Sequence, residues 1–331
     1  MLTHLNATPI PPSRIVILGG KGFLSQHLQA ALRAHGTAFL AVPSNDIDLT
    51  KPDSASYLAA LIRPDDAVIM MSTLTPEKGR DAGTLMLNLR MAETVCLCLS
   101  QVRCAHFVYL SSDAVYDAHQ IPLDEDSTRE PVDLYGLMHN AREMMLGSVL
   151  EGAGVPYCIL RPTNIYGPGD THNSYGPNRF VRSALNEGRI VLFGKGEERR
   201  SQVYVDDAIK LIERVLLHRS RGTLNIATRS AVSFRNIADC IIELLGRPVR
   251  IEFAPRKLPV IHRPYKSTQI ARFIYNLGRP IGPIVHRTFT VSAIFEAFPD
   301  LTFTPLTQGL ARFAQFEKNL PPGSGTKATT A

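Results

Sequence analysis

Apolar positions along this chain follow two alternating rhythms. Short, mainly apolar runs at Ile15–Leu18, Thr37–Val42, Ala67–Met71, His106–Leu110 and Tyr157–Arg161 have the length and two-sided hydrophobicity of strands buried in a parallel sheet. Between them lie segments with helical spacing. One runs from Phe23 through Leu28 to Leu32, another from Ser54 to Ile62, and a long one from about Thr84 to Gln101 turns Leu85, Leu89, Ala92, Cys96 and Leu99 inward. Strand and helix in alternation predict an α/β fold with a doubly wound parallel sheet. After Tyr166 a helix over Asn178–Glu187, a strand over Ile190–Phe193, a turn at Gly194–Glu197 and a helix over Asn236–Leu245 predict a smaller C-terminal α/β lobe. The chain divides into a first domain over 14–166 and a second lobe over 167–316, with 203–228 returning to the first domain. Residues 1–13, with three prolines, and the Pro/Gly/Ser/Thr-rich end, 321–331, read as disordered tails.

Where the first strand meets the first helix the sequence is Gly19-Gly20-Lys21-Gly22-Phe23-Leu24. Glycines in such a turn let the backbone approach a pyrophosphate, whose charge the free N–H groups of the helix start then meet. The ligand so predicted is a dinucleotide, although a plain turn without ligand has the same local pattern. Ser25 replaces a usual third glycine and is small enough to keep helix and strand close. The second strand ends in Pro43-Ser44-Asn45, without the carboxylate that holds the adenosine ribose of NAD. Asp46 and Asp48-Leu49 follow, better placed for the adenine, and Lys21 or Arg33 would serve a 2′-phosphate. NAD and NADP both stay open.

Polar residues collect at the ends of the next strands. Ser72-Thr73 follows the third, and Ser111-Ser112-Asp113 opens from the carboxyl end of a central strand, where open α/β sheets bind ligands. Tyr135 and His139, four apart on a helix, share a face, an arrangement that packing alone also produces. Asn88 is expected to tie its helix to the sheet.

Charge and cysteines change this picture little. A net charge of +6 suits an anionic small molecule as well as a polyanion, and no basic patch interleaved with aromatics points to nucleic acid. The five cysteines lie in apolar surroundings without zinc spacing, so buried free thiols are expected and no metal. No apolar run reaches membrane-spanning length and no export signal opens the chain, so a cytoplasmic protein without membrane contact is expected.

Taken in order, these residues resemble the extended short-chain dehydrogenase/reductases, specifically the NAD-dependent epimerase/dehydratase group that modifies nucleotide sugars. The resemblance runs from about Arg14 to Phe316. It is carried by Gly19–Leu24, Asp48-Leu49, Leu110–Tyr116, Tyr135 and its helix, Arg161–Gly169, Gly194–Asp207 and Gly222–Ala227. It implies a Rossmann-type domain carrying a smaller substrate lobe, an NAD or NADP cofactor, a nucleotide-sugar substrate and a homodimer formed by two long helices. Implied cofactor contacts are Gly19, Gly20, Lys21, Gly22, Phe23, Leu24, Asp48, Leu49, Ser72, Thr73, Tyr135, His139 and Pro162. Tyr135 would be the acid/base, assisted by Ser112. Arg200 would grip the substrate diphosphate, with Asp113, Asn164 and Asn178 also facing substrate. For Arg200 the bland alternative is a surface charge beside Glu197 and Glu198. Asp206 is expected to tie the lobes together.

The chain departs from the family at two informative positions. Ala114 stands where sugar dehydratases carry a glutamate, which disfavours water elimination and leaves epimerisation or 4-keto reduction. His139 stands where the family has a lysine that activates the tyrosine. A neutral imidazole would activate Tyr135 less, so slow turnover, loss of the redox step, or accommodation of the histidine in a working site are alternative expectations. A regulatory or partner-binding protein that holds a dinucleotide without turnover is the rival function.

Overall fold

The computed structural model describes residues 2–117, 120–170, 172–173, 175–255 and 284–321. In chain order the elements of the first domain are β1 (Thr3–His4), β2 (Arg14–Leu18), α1 (Phe23–Ala34), β3 (Phe39–Val42), α2 (Ser54–Leu61) and β4 (Asp66–Met70). There follow α3 (Ala82–Leu99), β5 (His106–Leu110), a single 3-10 turn (Asp113–Val115), α4 (Leu134–Ala153) and β6 (Tyr157–Pro162). The chain continues through β7 (Asn164–Tyr166), α5 (Pro177–Glu187), β8 (Arg189–Phe193), β9 (Arg199–Tyr204), α6 (Val205–Leu217) and β10 (Ser220–Ile226). It ends with β11 (Ala231–Ser233), α7 (Phe234–Leu245), β12 (Arg250–Ala254), α8 (Ser292–Ala297) and α9 (Leu306–Lys318).

Seven strands form the main sheet in the order β1-β10-β6-β5-β4-β2-β3, parallel except for β1 at one edge. The chain runs from β2 outward to β3, then crosses back to β4 on the other side of β2. Strand order therefore reverses between β2 and β4, which opens a crevice at their carboxyl ends. β10, late in the sequence, completes this sheet beside β6.

Alternation along β2 sends residues to two separate cores. Ile15 and Ile17 pack toward α1 and the buried face of α6, whereas Val16 and Leu18 pack with α2, α3 and α4. Both faces are covered, which is why these strands read as continuous apolar runs rather than alternating ones. α3 is long and apolar enough by composition to cross a membrane, yet Val95, Cys98 and Leu99 on it are core residues of this fold.

The second lobe is built on a three-stranded sheet, β11-β9-β7, and a two-stranded one, β12-β8, with α5, α7 and α9 packed together. Buried cross-links tie it down. The Asp207 carboxylate accepts hydrogen bonds from the Thr304 N–H and hydroxyl, and Asp206, expected in this role, lies half-exposed between His27 of the first domain at 3.8 Å and Arg312 of the second lobe at 3.9 Å.

The N-terminal segment corrects the expectation of a disordered tail. Thr3 and His4 pair with Arg221 and Ser220, Asn6 and Ile10 donate backbone hydrogen bonds to His218 and Leu217, and His4 stacks near His218 and Phe298. Prolines exclude helix there but not an edge strand. The expected C-terminal tail beyond Pro321, and the stretch 256–283, lie outside the described residues.

Candidate active site

The glycine turn stands at the β2/β4 crevice. Gly19 has φ +96°, and a Cβ on it would come within 2.8 Å of the Ser72 backbone nitrogen, so the loops after β2 and β4 meet there and no side chain fits. α1 then begins with Gly22 at its N-cap, no side chain capping it and no acidic residue in its first turn. Its free N–H groups and positive dipole end suit an anion. Ser25 is buried and accepts a hydrogen bond from Gln29, which also donates to the Gly20 carbonyl at 2.6 Å. The serine in place of a third glycine is thus absorbed into a polar tie between helix and turn.

The Ser72 hydroxyl, in the loop that meets Gly19, and His139 Nε2 on α4 are buried polar atoms without a partner among the described residues. Buried polar groups are nearly always paired, and these two belong to residues the sequence assigns to the cofactor. The donor set fits a dinucleotide. Arg142 donates to the Ser72 carbonyl and the Thr73 hydroxyl, fixing the loop after β4. Asn88, expected to tie α3 to the sheet, instead ties it to that loop through the Leu74 N–H and C=O. Asp48 has its carboxyl held below the usual range by hydrogen bonds from the Thr50 hydroxyl and N–H. Lys21 is exposed, while the Arg33 guanidinium lies over the Phe39 ring at 5.1 Å.

Tyr135 and His139 do share the inner face of α4, their rings packed edge to face at 4.6 Å. Burial pushes the Tyr135 phenol far above its ordinary pKa, against a hydrogen bond with Ser112 that lowers it. His139 is 1% exposed, and burial plus the neighbouring Arg142 charge hold its pKa well below 6.5, so the ring is neutral at pH 7. Asp133 caps α4 through the Gly136 N–H. Gly136 lies so close to the Ala114 carbonyl and Pro131 that a Cβ there would collide, and this contact brings Tyr135 up to Ser112.

A buried network forms the floor. Glu143 accepts from Ser111 at 2.6 Å and from both Nε and Nη2 of Arg161, at 2.9 and 2.7 Å, and Arg161 Nη1 donates to the Tyr116 hydroxyl at 2.7 Å. Tyr116 in turn donates to Asn225 on β10, and burial pushes its phenol up to about 12. Of the paired serines, Ser111 is therefore structural, which leaves Ser112 for Tyr135. Sequence reasoning missed Glu143, although its place eight residues after Tyr135 keeps it near the same helix face.

The second lobe contributes unevenly. Arg287, which no pattern in its segment signals, is buried and donates to the Asp113 carbonyl at 2.7 Å, its guanidinium 3.7 Å from the Asp113 carboxylate. Asn164 is exposed on β7. Arg200 is held by Glu198 at 2.5 Å, so its guanidinium already has a carboxylate partner. Asn178 does not face the site. It is buried, accepts from the Gly167 N–H and donates to Asp170, because the glycine-rich loop before α5 needs its amide as a brace.

A contact the sequence did not signal joins the loop after β4 to the loop after β7. Glu77 and His172 pair at 3.0 Å. Burial would raise the Glu77 carboxyl, but hydrogen bonds from His172 and Thr75 hold it at about 2, and the same pair raises His172. Glu77 is also near enough for its charge to act on Tyr135.

A parallel sheet with a glycine turn and an open helix start at its topological switch defines an α/β protein of the dinucleotide-binding class. The chain belongs to the NAD dependent epimerase/dehydratase family, whose model matches residues 15–227. It is 26% identical over 271 residues to an ADP-L-glycero-D-manno-heptose-6-epimerase of Alkalilimnicola ehrlichii, covering 73% of this chain and 83% of the relative. It is 24% identical over 274 residues to a dTDP-4-dehydro-6-deoxy-D-allose reductase of Streptomyces bikiniensis, covering 73% and 84%. Among solved structures it is similar to a GDP-L-fucose synthetase of Naegleria fowleri bound to NADP, with TM-score 0.76 and 16% identity over 98% of this chain and 99% of that one.

Proposed function

We propose that this chain is an NAD(P)-dependent epimerase or 4-keto reductase of nucleotide-linked sugars, with Tyr135 as the acid/base at a sugar carbon–oxygen bond. The observation that supports the reading is a chain of contacts: Gly19 meets the loop of Ser72, Arg142 on α4 holds that loop, and the same helix carries His139 packed against Tyr135, which hydrogen-bonds Ser112. The relatives supply the substrate class. A bound nicotinamide dinucleotide supplies hydride transfer. The protein's own part is acid–base work: a phenol kept protonated by burial gives its proton to a sugar oxygen, and Ser112 hydrogen-bonds that oxygen. Gly19 through Leu24 would cradle the pyrophosphate, Asp48-Leu49 the adenine, and Ser72, Thr73, Pro162 and His139 the nicotinamide end. Arg200 would exchange Glu198 for a substrate phosphate, with Asp113 and Asn164 near the sugar.

Two further expectations belong to this reading. Met86, Leu87 and Leu97 on α3 and Leu137 and Met144 on α4 are exposed apolar residues on neighbouring helices, which supports a homodimer through that pair. Five free cysteines suit a reducing compartment, the cytoplasm.

A second reading, dinucleotide binding without turnover, is favoured by the neutral imidazole at position 139. One experiment separates the two. The protein is incubated with NADPH or NAD and ADP-, dTDP-, GDP- and UDP-linked sugars, including 4-keto forms, and products are followed by mass spectrometry alongside binding. Turnover that disappears in Tyr135→Phe supports the enzyme, sugar binding without turnover supports the second reading, and no binding of any nucleotide sugar contradicts both the substrate class and the enzyme.

A further inference from the structure

Three buried residues, His139, Tyr109 and Arg142, cluster at the inner side of α4, and their hydrogens can be assigned. His139 Nδ1 lies 2.7 Å from the Tyr109 hydroxyl, and both residues are at most 2% exposed. Arg142, one helical turn past His139, is fully buried. Its acceptors are all neutral: the Ser72 carbonyl, the Thr73 hydroxyl, and the Asn88 carbonyl and side-chain oxygen. Among the described residues no carboxylate lies within ion-pair distance of it, so its charge acts outward on its neighbours. One of these is Tyr109. Burial raises the Tyr109 phenol to about 12, and the guanidinium opposes that shift.

A guanidinium only donates, so the single hydrogen of the Tyr109 hydroxyl cannot be directed at it. The remaining partner is His139 Nδ1, which must then be the acceptor nitrogen. A neutral imidazole that accepts at Nδ1 carries its hydrogen on Nε2. Nε2 is the nitrogen left buried without a partner. The result is a hydrogen-bond donor with a fixed tautomer, backed by a cation and without a partner among the described residues.

We propose that Arg142 and Tyr109 are positioning residues that lock His139 as an Nε2–H donor for a sugar hydroxyl of the bound dinucleotide, so that a polarised neutral relay stands where an ammonium would. The proposal rests on the dinucleotide reading above. Arg142 provides the charge, Tyr109 transmits it through one hydroxyl, and His139 presents it without itself becoming charged. The arrangement also accounts for a buried arginine with no counter-ion among the described residues, since its field acts on the relay.

The test needs no turnover. Nitrogen-15 spectra of the histidine side chains in the free protein at pH 7 report the His139 tautomer, and titration with NADPH and NAD reports affinity, for wild type and for Tyr109→Phe. Wild-type His139 is expected as the Nε2–H tautomer. In Tyr109→Phe the tautomer should become mixed and dinucleotide affinity should fall about three- to tenfold, the worth of one hydrogen bond. Wild-type His139 protonated on Nδ1 overturns the proposal. So does a Tyr109→Phe protein whose tautomer or dinucleotide affinity matches wild type, because a residue that merely fills space would move the melting temperature and neither of these. A wild-type protein that binds neither dinucleotide overturns the functional reading itself, and is told apart from failure of the relay by the titration of wild type alone.

Discussion

Replacing Tyr135 by phenylalanine removes one oxygen and little packing, so it isolates the proposed chemistry. Turnover should fall at least about a hundredfold, the usual range for a positioned acid/base, while dinucleotide affinity changes by no more than a few-fold; kinetics and fluorescence titration measure the two. Glu143 behaves differently. It answers the Arg161 guanidinium with both oxygens, and their side chains are 1% and 4% exposed. Glu143→Gln leaves that cation without its charge partner and should cost about 3–5 kcal/mol in denaturant unfolding. A loss below 1 kcal/mol would show that the floor network is not built on this pair. Tyr135, Ser112 and the glycines were legible in the sequence because their residue types sit at motif spacing. Glu143, Arg142 and Tyr109 were not, since each acts through partners brought to it by the sheet. Asn178 misled for the same reason: an asparagine at a helix start looks free until the fold gives its amide to Gly167 and Asp170.

At the level of elements, α4 is held to the 3-10 turn at Asp113–Val115 through Gly136. Gly136→Ala must push the helix off the Ala114 carbonyl, at about 1–3 kcal/mol of stability, and it should lower turnover by separating Tyr135 from Ser112. A substituted protein with wild-type melting temperature and rate would contradict this. The loops after β4 and β7 carry a pH dependence. His172 is raised above 6.5 by its hydrogen bond to Glu77, so its contribution is complete below 6.5 and is lost as pH rises through the higher folded value. Glu77, held at about 2, contributes fully above 4.5 and loses this as pH falls toward 2. The pair is therefore fully charged between about pH 4.5 and 6.5. Amide exchange at 167, 169, 170, 172 and 173, corrected for intrinsic rates, should be slowest relative to the rest of the chain in that window, and His172→Ala should remove the difference. The βαβ elements were readable because a strand buried on both faces has a continuous apolar signature. The N-terminal edge strand was not, because two residues paired to β10 leave no periodicity to read.

For the whole molecule, the doubly wound architecture followed from the order of runs, but the position of the switch did not. Only pairing shows β2 flanked by β3 and β4, and so places the glycine turn against Ser72. The exposed apolar residues of α3 and α4 lead to a further expectation: light scattering should give twice the mass of one chain, and Met144→Glu combined with Leu137→Glu should give a folded monomer. A wild-type protein at the mass of one chain would remove the dimer from the account.

The central claim is that the crevice between β2 and β4 binds a nicotinamide dinucleotide. Its most direct test is the melting temperature of the purified protein with saturating NAD, NADH, NADP or NADPH, compared with Gly19→Val. A ligand at a hundred times its Kd adds about 2.7 kcal/mol, which for a chain of this size is a rise of roughly five degrees. The account predicts such a rise with at least one of the four in wild type and none in Gly19→Val. No rise with any of them in wild type, in protein shown to release no dinucleotide on unfolding, would contradict it.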